Sequence, residues 1–245
     1  MVWFKEWFNT PYYHVLYGER NDHEAASFVH ALANKLQLNE THSVIDLACG
    51  KGRHALTLHS HGCNVLGLDL SEESITHAQQ FQTDTLQFKV HDMRKPYPDF
   101  KADVLMNLFT SFGYFDAEED NLKTLLAVNS MIKPQGIFVQ DYLNAEYVRK
   151  RIVPHQIIQK QGFEFDVKKV IQHNRVYKTI SFQVDQAAHT FTEQVDLLDL
   201  QAFEALYQAA GLKITHVYGD YQLNPFSPEH SERLILFSEK VTECQ

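Results

Sequence analysis

The sequence predicts an α/β fold: a doubly wound, mostly parallel sheet of seven strands, the last antiparallel, with an antiparallel β meander inserted late in the chain. Three observations carry this expectation. Between residues 22 and 143, short apolar runs alternate with helical patterns of about ten to fifteen residues, as in a sheet covered on both faces. From about 155 to 197 the pattern changes to period-two apolar positions separated by turn candidates. After residue 199 a helix and two strands resume the first pattern. With 245 residues, 44% of them hydrophobic and 12% aromatic, the chain is long enough to bury a sizeable core.

The elements follow in order. Residues 1–18 are an aromatic arm carrying Trp3, Phe4, Trp7, Phe8, Tyr12, Tyr13 and Tyr17. A helix follows, with Asn21 as N-cap and Glu24 three residues on, and with Ala25, Phe28, Val29, Leu32 and Leu36 at helical spacing. "SVIDL" (43–47) and "NVLGLDL" (64–70) read as buried strands, and "SEESITHAQQF" (71–81) as a helix capped by Ser71. "LQFKVHD" (86–92) and "ADVLMNL" (102–108) are the third and fourth strands. "DAEEDNLKTLLAVNSM" (116–131) is a helix capped by Asp116 with Glu119 three on, and "QGIFVQDYL" (135–143) is the fifth strand. In the meander, Ile180, Phe182 and Val184 keep period two, with turns expected at "QHNR" and "DQAA". The helix "DLQAFEALYQAAG" ends on Gly211 as a C′ residue. "LKITHVYG" and "ERLILFSE" are the last strands, joined by the proline-bearing loop "YQLNPFSPEHS". No internal repeat, low-complexity tract or linker interrupts the chain, so residues 1–245 are read as one domain.

Bulk properties exclude several function classes. The first residues, "MVWFKEWFNTPYYHV", lack the basic and apolar segments of a secretory signal, and no stretch is apolar enough to span a membrane. Cys49, Cys63 and Cys244 are too scattered for a disulfide framework, which suits a reducing, cytoplasmic setting. Twenty-two Lys and Arg against 31 acids leave a net charge of −9, which argues against general binding to nucleic acid.

The stretch "VIDLACGKGRHAL" (44–56) raises the functional question, because a strand entering a glycine turn and then a helix brings backbone N–H groups to a ligand. A phosphate-cradling loop needs Gly-Lys-Ser/Thr, but Lys51 is followed by Gly52 and Arg53. A dinucleotide loop needs a third glycine where Ala55 stands, and Asp46 just before the turn repels a pyrophosphate. Asp46 suits an ammonium or sulfonium instead. Asp69 ends the second strand nineteen residues after Gly50, a spacing that suits ribose hydroxyls. Asp92, after the third strand, can accept from an adenine amino group while Met93 packs on the ring. Together these positions describe a phosphate-free nucleoside with a cationic tail, and S-adenosylmethionine fits.

In this order "VIDLACGKGRHAL", "GLDLS", "HDMR" and "ADVLMNLFTSFGYF" resemble the successive motifs of class I S-adenosylmethionine-dependent methyltransferases. The resemblance is close over residues 44–141 and looser over the C-terminal helix and strands. The aromatic N-terminus, with "YYHVLYGER", is similar to a subgroup of amine and sugar N-methyltransferases. The resemblance implies a Rossmann-like fold divided as 1–40 arm and helix, 41–150 cofactor-binding core, 151–198 inserted β subdomain and 199–245 completion of the core. It also implies roles. Asp46 reaches the methionine ammonium through water, while Ala48, Gly50 and Gly52 form the loop against ribose and methionine. Asp69 holds the ribose hydroxyls with Leu70 against adenine, and Asp92 and Met93 hold the adenine. Asn107 and Leu108 offer backbone to the methionine end, and Tyr13 and Tyr17 lie over the sulfonium or the substrate mouth. Ala48 departs from the family, which has glycine there.

Each assignment has a plainer counterpart. Asp46 and Asp69 can be strand-end carboxylates capping a turn, Asp92 a turn former before Pro96, and the tyrosines ordinary packing. His54, His59, His61 and Cys63 invite a metal reading, but no carboxylate completes a shell and no H-x₃-H pair is present, so none is assigned. Cys49 reads as a small buried filler. The expected reaction is in-line methyl transfer to a small-molecule acceptor, an amine by preference, with S-adenosylhomocysteine as product. Tyr114, Asp141 and Tyr142 are the candidates for orienting that acceptor. A non-catalytic sensor of the same ligand and an NAD-dependent dehydrogenase stand as alternatives. Exposed meander edges suggest a homodimer.

Overall fold

The computed structural model describes residues 3–17, 22–117 and 119–241. The expected cap Asn21 and Cys244 lie outside them. Two short helices, α1 (Trp3–Phe8) and α2 (Pro11–Tyr17), form the arm, and α3 (Asp22–Leu36) follows. The core then runs β1 (Ser43–Leu47), α4 (Arg53–Ser60), β2 (Asn64–Asp69), α5 (Glu72–Ala78), β3 (Leu86–Val90), β4 (Ala102–Asn107), α6 (Glu119–Met131), β5 (Ile132–Leu143) and α7 (Ala145–Arg151). The meander is β6 (His155–Lys160), β7 (Phe163–Gln172), β8 (Arg175–Val184) and β9 (Ala187–Asp196). The chain returns to the core through α8 (Leu200–Ala209), β10 (Leu212–Tyr218) and β11 (Arg233–Lys240).

Seven strands make one sheet in the order β10-β11-β5-β4-β1-β2-β3, and β6-β7-β8-β9 make a second. In the first sheet β11 alone runs antiparallel to its neighbours, as the sequence predicts. The strand order reverses between β1 and β4, so the crevice beyond their carboxyl ends is where such a sheet receives ligands.

Alternation along β1 decides which side chains reach that crevice. Val44 faces the helices α3 and α4, while Ile45 and Leu47 face α6 and α8, so two apolar layers cover the sheet. Asp46 therefore shares the α3–α4 face with Val44. A third apolar cluster, separate from both, joins the arm to the meander through Trp7, Leu16, Phe165, Val167, Ile180 and Phe182.

Local chemistry explains most boundaries. Ser71 accepts from the Ser74 N–H and Asp199 from the Ala202 N–H, both as N-caps. Gly211 follows α8 at φ +71° as the C′ residue. The meander turns fall at Gln161–Gly162, His173–Asn174 and Asp185–Gln186, each with both residues at positive φ, the twist that two-residue hairpins favour. Asp116 is a correction. The helix starts at Glu119, and the Asp116 carboxylate accepts from Gln194 of β9, so it ties the meander to the core. The aromatic arm, to which the sequence reading assigns no secondary structure, forms two short helices against the meander, and α7 is a further helix that the reading does not include.

Candidate functional site

A cavity of about 1080 Å³ opens beyond the carboxyl ends of β1, β2 and β4 and is roofed by the arm and the meander. It exceeds the usual size of a pocket for one small ligand.

Its floor is the turn after β1. Ala48, Gly50 and Gly52 all have positive φ, at 64°, 55° and 86°. The Ala48 and Cys49 N–H groups donate to the Leu68 carbonyl at 2.7 and 3.0 Å, pinning the loop to β2. Gly52 has a second constraint, since a Cβ there would meet the Phe88 ring at 2.7 Å. Asp69 closes the loop from the side. Its carboxylate accepts from the Gly50 N–H and the Ser71 N–H, each at 2.8 Å, and burial raises its pKa despite these bonds.

Asp46 lies beneath the loop, fully buried. Its carboxyl accepts from the Ala55 N–H of α4, yet Oδ2 has no hydrogen-bond partner among the described residues. Burial, with the nearby Asp69 charge adding to it, pushes its pKa up to about 7. A buried acid with an orphaned oxygen is a site for a cation or a bridging water. Cys49 beside it is buried, and burial holds its thiol well above the ordinary value, so it is inert filler.

Across the crevice, Phe109 and Thr110 follow β4 at φ 57° and 61°, a strained pair held by its neighbours. The Phe109 N–H donates to Asp141 Oδ2 at 2.8 Å. Arg233 clamps the same segment by donating to Asp141 Oδ1 at 2.7 Å and to Thr110 Oγ1 at 2.8 Å. Phe109 stacks on His54, with ring centroids 4.9 Å apart. Burial lowers the pKa of His54 to about 3, so it lines the cavity as a neutral ring.

Of the residues expected at the site, Tyr13, Tyr17, Ala48, Gly50, Asp69, Leu70, Asp92, Met93, Leu108 and Tyr114 line the cavity. Asp46, Gly52, Asn107, Asp141 and Tyr142 do not. Asp46 and Gly52 support the loop from below. The Asn107 side chain is buried and donates to the Leu47 and Ser111 carbonyls, stitching β1 to β4. Asp141 is consumed by Arg233 and the Phe109 N–H. Tyr142 is fully buried and donates to the Asp196 carbonyl at 2.6 Å, where a Cβ at Gly113 would strike its hydroxyl at 2.3 Å. Neither Asp141 nor Tyr142 can present its polar atoms to an acceptor in this arrangement. Asp92 reaches the wall with both oxygens turned to Arg94, at 3.0 and 2.7 Å, and this pairing holds its pKa below the usual carboxylate value. The plainer reading of a turn carboxylate thus competes at Asp92 with adenine recognition.

The roof holds residues that sequence reasoning missed. Glu193 of β9 accepts from Trp7 Nε1 at 2.6 Å and from the Tyr17 hydroxyl at 2.7 Å, and Lys178 Nζ of β8 lies 3.6 Å away. Lys178 also contacts the Tyr17 hydroxyl and sits 4.4 Å from its ring centroid. This carboxylate latches the arm onto the meander. Its one sequence signal is a pair of charges, Lys178 and Glu193, placed on strand faces otherwise occupied by Ile180, Phe182 and Phe191. Tyr114 packs edge-on against Trp3 and Phe8 at 5.8 and 5.9 Å, beside this latch. Among the described residues no three His, Cys, Asp or Glu side chains gather as an ion site. His61 pairs instead with His30 at 2.7 Å.

Comparison with known proteins bears on this geometry. Residues 38–200 match the family described as methyltransferase domain. The chain is 26% identical over 216 residues to the YqeM protein of Bacillus subtilis (strain 168), covering 83% of this chain and 86% of that one. It is 24% identical over 196 residues to the dTDP-3-amino-3,4,6-trideoxy-alpha-D-glucopyranose N,N-dimethyltransferase of Streptomyces venezuelae, covering 74% and 79%. Its fold is similar to that of a crystallised S-adenosylmethionine-dependent methyltransferase from Clostridium acetobutylicum ATCC 824, with a TM-score of 0.78 at 17% identity, covering 94% and 96%.

Proposed function

The chain belongs to the methyltransferase domain family, an S-adenosylmethionine-dependent methyltransferase by that membership, and we propose that its acceptor is a small-molecule amine. The observation that carries this reading is one cavity with two unlike walls. One is a glycine loop ringed by buried carboxylates, and the other is an aromatic roof large enough to cover a second molecule.

The residues present fit the cofactor. Asp46 has an orphaned buried oxygen for a cationic tail, and Asp69 keeps carboxylate lone pairs at the loop. No Gly-Lys-Ser/Thr follows the loop to hold a phosphate. In this reading Asp46 answers the ammonium through water, Ala48, Gly50 and Leu108 line the methionine end, Asp69 takes the ribose hydroxyls, and Leu70 and Met93 face the adenine. When bound, S-adenosylmethionine supplies an electrophilic methyl carbon on a good leaving group. The protein's part is alignment and exclusion of water. Tyr13 and Tyr17 close the mouth, and Tyr114 is the one of the three acceptor-orienting candidates that reaches the cavity. A neutral amine needs only to shed its proton, so the site requires no strong base. The relative that methylates a sugar amine supports an amine acceptor here. Residues 41–150 then serve the cofactor and 151–198 the acceptor. Pairing of two copies along the exposed β6 edge belongs to the same proposal, and a monomeric mass in sedimentation removes it.

The test is transfer of a labelled methyl group from S-adenosylmethionine to a panel of primary and secondary amines beside matched alcohols. Labelled amine products support the reading, and labelling confined to alcohols overturns the choice of acceptor.

A further inference from the structure

The segment after β4 is bent against its own preferences. Phe109 and Thr110 both occupy the left-handed region, at φ 57° and 61°, and for the β-branched Thr110 that conformation is a genuine outlier. Two strands hold it there. From β5, the Asp141 carboxylate accepts from the Phe109 N–H at 2.8 Å, and the Asp141 carbonyl accepts from the Thr110 N–H at 3.0 Å. From β11, Arg233 donates to the Asp141 carboxylate at 2.7 Å and to the Thr110 hydroxyl at 2.8 Å. Asp141 is fully buried and the Arg233 side chain is mostly so.

Stability alone does not account for this arrangement. A buried ion pair offsets its attraction with lost hydration, and a glycine at 110 would adopt the same backbone without strain. Strain that neighbouring strands over-determine gathers where a side chain has to be presented. What glycine lacks is the hydroxyl. The Thr110 oxygen accepts from the Arg233 guanidinium, while its own proton has no acceptor among the described residues. A hydroxyl that accepts from a cation is polarised and becomes a stronger donor. Thr110 lines the cavity, as do Leu108 and Phe109 before it and the loop residues Ala48 and Gly50. Phe109 stacks on His54, just beyond Gly52, so this donor stands beside the glycine loop.

We infer that Thr110 is a cofactor-binding residue whose hydroxyl donates to the methionine carboxylate, and that Arg233 and Asp141 are positioning residues that hold it in place. The inference deepens the S-adenosylmethionine reading and rests on it. Methionine carries an ammonium and a carboxylate on one carbon. Asp46, below the loop, suits the first. The polarised Thr110 O–H across the crevice suits the second, because a hydroxyl bonded to a carboxylate makes one of the strong, charge-assisted hydrogen bonds.

The experiment compares two ligands by calorimetry: S-adenosylhomocysteine, and its decarboxylated form, which keeps the ammonium. The parent protein is expected to bind the first more tightly by roughly tenfold or more. Thr110→Val keeps shape and branching but not the hydroxyl. It is expected to lose about tenfold in affinity for S-adenosylhomocysteine and less than about twofold for the decarboxylated form. Thr110→Ser, which keeps the hydroxyl, stays within about threefold of the parent for both. Arg233→Lys keeps the charge but not the fork. It is expected to weaken S-adenosylhomocysteine about threefold in the parent and no further in Thr110→Val, since Arg233 acts through Thr110. Equal binding of both ligands by the parent overturns the inference, and that measurement requires no variant to fold. So do an unchanged Thr110→Val, equal losses of both ligands in it, Thr110→Ser as weak as Thr110→Val, or an Arg233→Lys loss that persists without the hydroxyl. Each of these leaves the cofactor assignment intact. Failure of the parent to bind S-adenosylhomocysteine overturns that assignment, and the role of Thr110 with it.

Discussion

The two walls of the cavity are built by different means. The floor is backbone: a turn whose shape comes from positive-φ residues, N–H bonds to Leu68, and one carboxylate, Asp69, reaching across from the next strand. Every contact there joins adjacent parallel strands and would survive many side-chain changes. The roof is side chain: Trp7, Tyr17, Lys178 and Glu193 meet although Trp7 and Glu193 are 186 residues apart. A backbone wall suits a ligand of constant shape, and a side-chain wall suits one that differs from protein to protein. On this view cofactor affinity and acceptor selection are separable, and each prediction tests that separation.

The largest effect is expected at Trp7, which is fully buried between α2 and β9 and stacked on Phe191 with centroids 4.5 Å apart. Trp7→Ala should cost about 3–5 kcal/mol in urea unfolding, as large aromatic truncations do. It should also slow methyl transfer far more than it weakens S-adenosylhomocysteine binding. Equal losses in both would mean that the roof also holds the cofactor. Next comes Asp69→Ala on the floor. It removes a carboxylate that accepts two backbone N–H bonds, and calorimetry should show roughly a 100-fold loss of S-adenosylhomocysteine affinity. A loss below threefold would remove Asp69 from the site.

Asp46 separates floor from roof by pH. Its pKa of about 7 lies above the ordinary value of 3.8, so the folded state binds the extra proton between those limits. Ligand-free stability must therefore fall as pH rises from about 4 to 7 and level off above, the reverse of a salt-bridged aspartate. Asp46→Asn removes that burden and should stabilise the ligand-free protein at pH 8 by about 1–3 kcal/mol, below the ~4 kcal/mol that the full shift represents. An ammonium-bearing ligand prefers the ionised acid. Affinity for S-adenosylhomocysteine should thus fall by up to about tenfold per pH unit below 7 in the parent, and Asp46→Asn should flatten the profile. A flat profile in the parent would detach Asp46 from the ligand.

The same division explains what could be read from the sequence. The floor was legible because its contacts are local: Asp46, Ala48, Gly50 and Asp69 lie on consecutive strands, and spacing alone brings them together. The hairpin turns at His173–Asn174 and Asp185–Gln186 were legible for the same reason. Asp141 and Tyr142 misled because a strand end looks like a site until its partners are known. Those partners, Arg233 and Asp196, are 92 and 54 residues away. Helices α1 and α2 are too short to show a period and fold against the meander, which no local pattern reveals. Helix α7 did carry a signal: the cap Asn144, with Glu146 in the first turn and Arg149, Lys150 and Arg151 in the last.

The smallest effect is the sharpest test of the floor as backbone. Ala48 occupies the left-handed region at φ 64°, where a Cβ costs about 1–2 kcal/mol. Ala48→Gly relieves that strain but gives the unfolded chain more freedom, worth about 0.4–1 kcal/mol in the other direction. The net expectation is a gain of roughly 0.5 kcal/mol in stability, with S-adenosylhomocysteine affinity unchanged within about twofold. The balance holds only if the hydrogen bonds from Ala48 and Cys49 to Leu68 dictate the turn and the methyl group merely tolerates it. A clear loss of stability or affinity on Ala48→Gly would show instead that the methyl group packs against the ligand or the loop. The floor, like the roof, would then depend on its side chains.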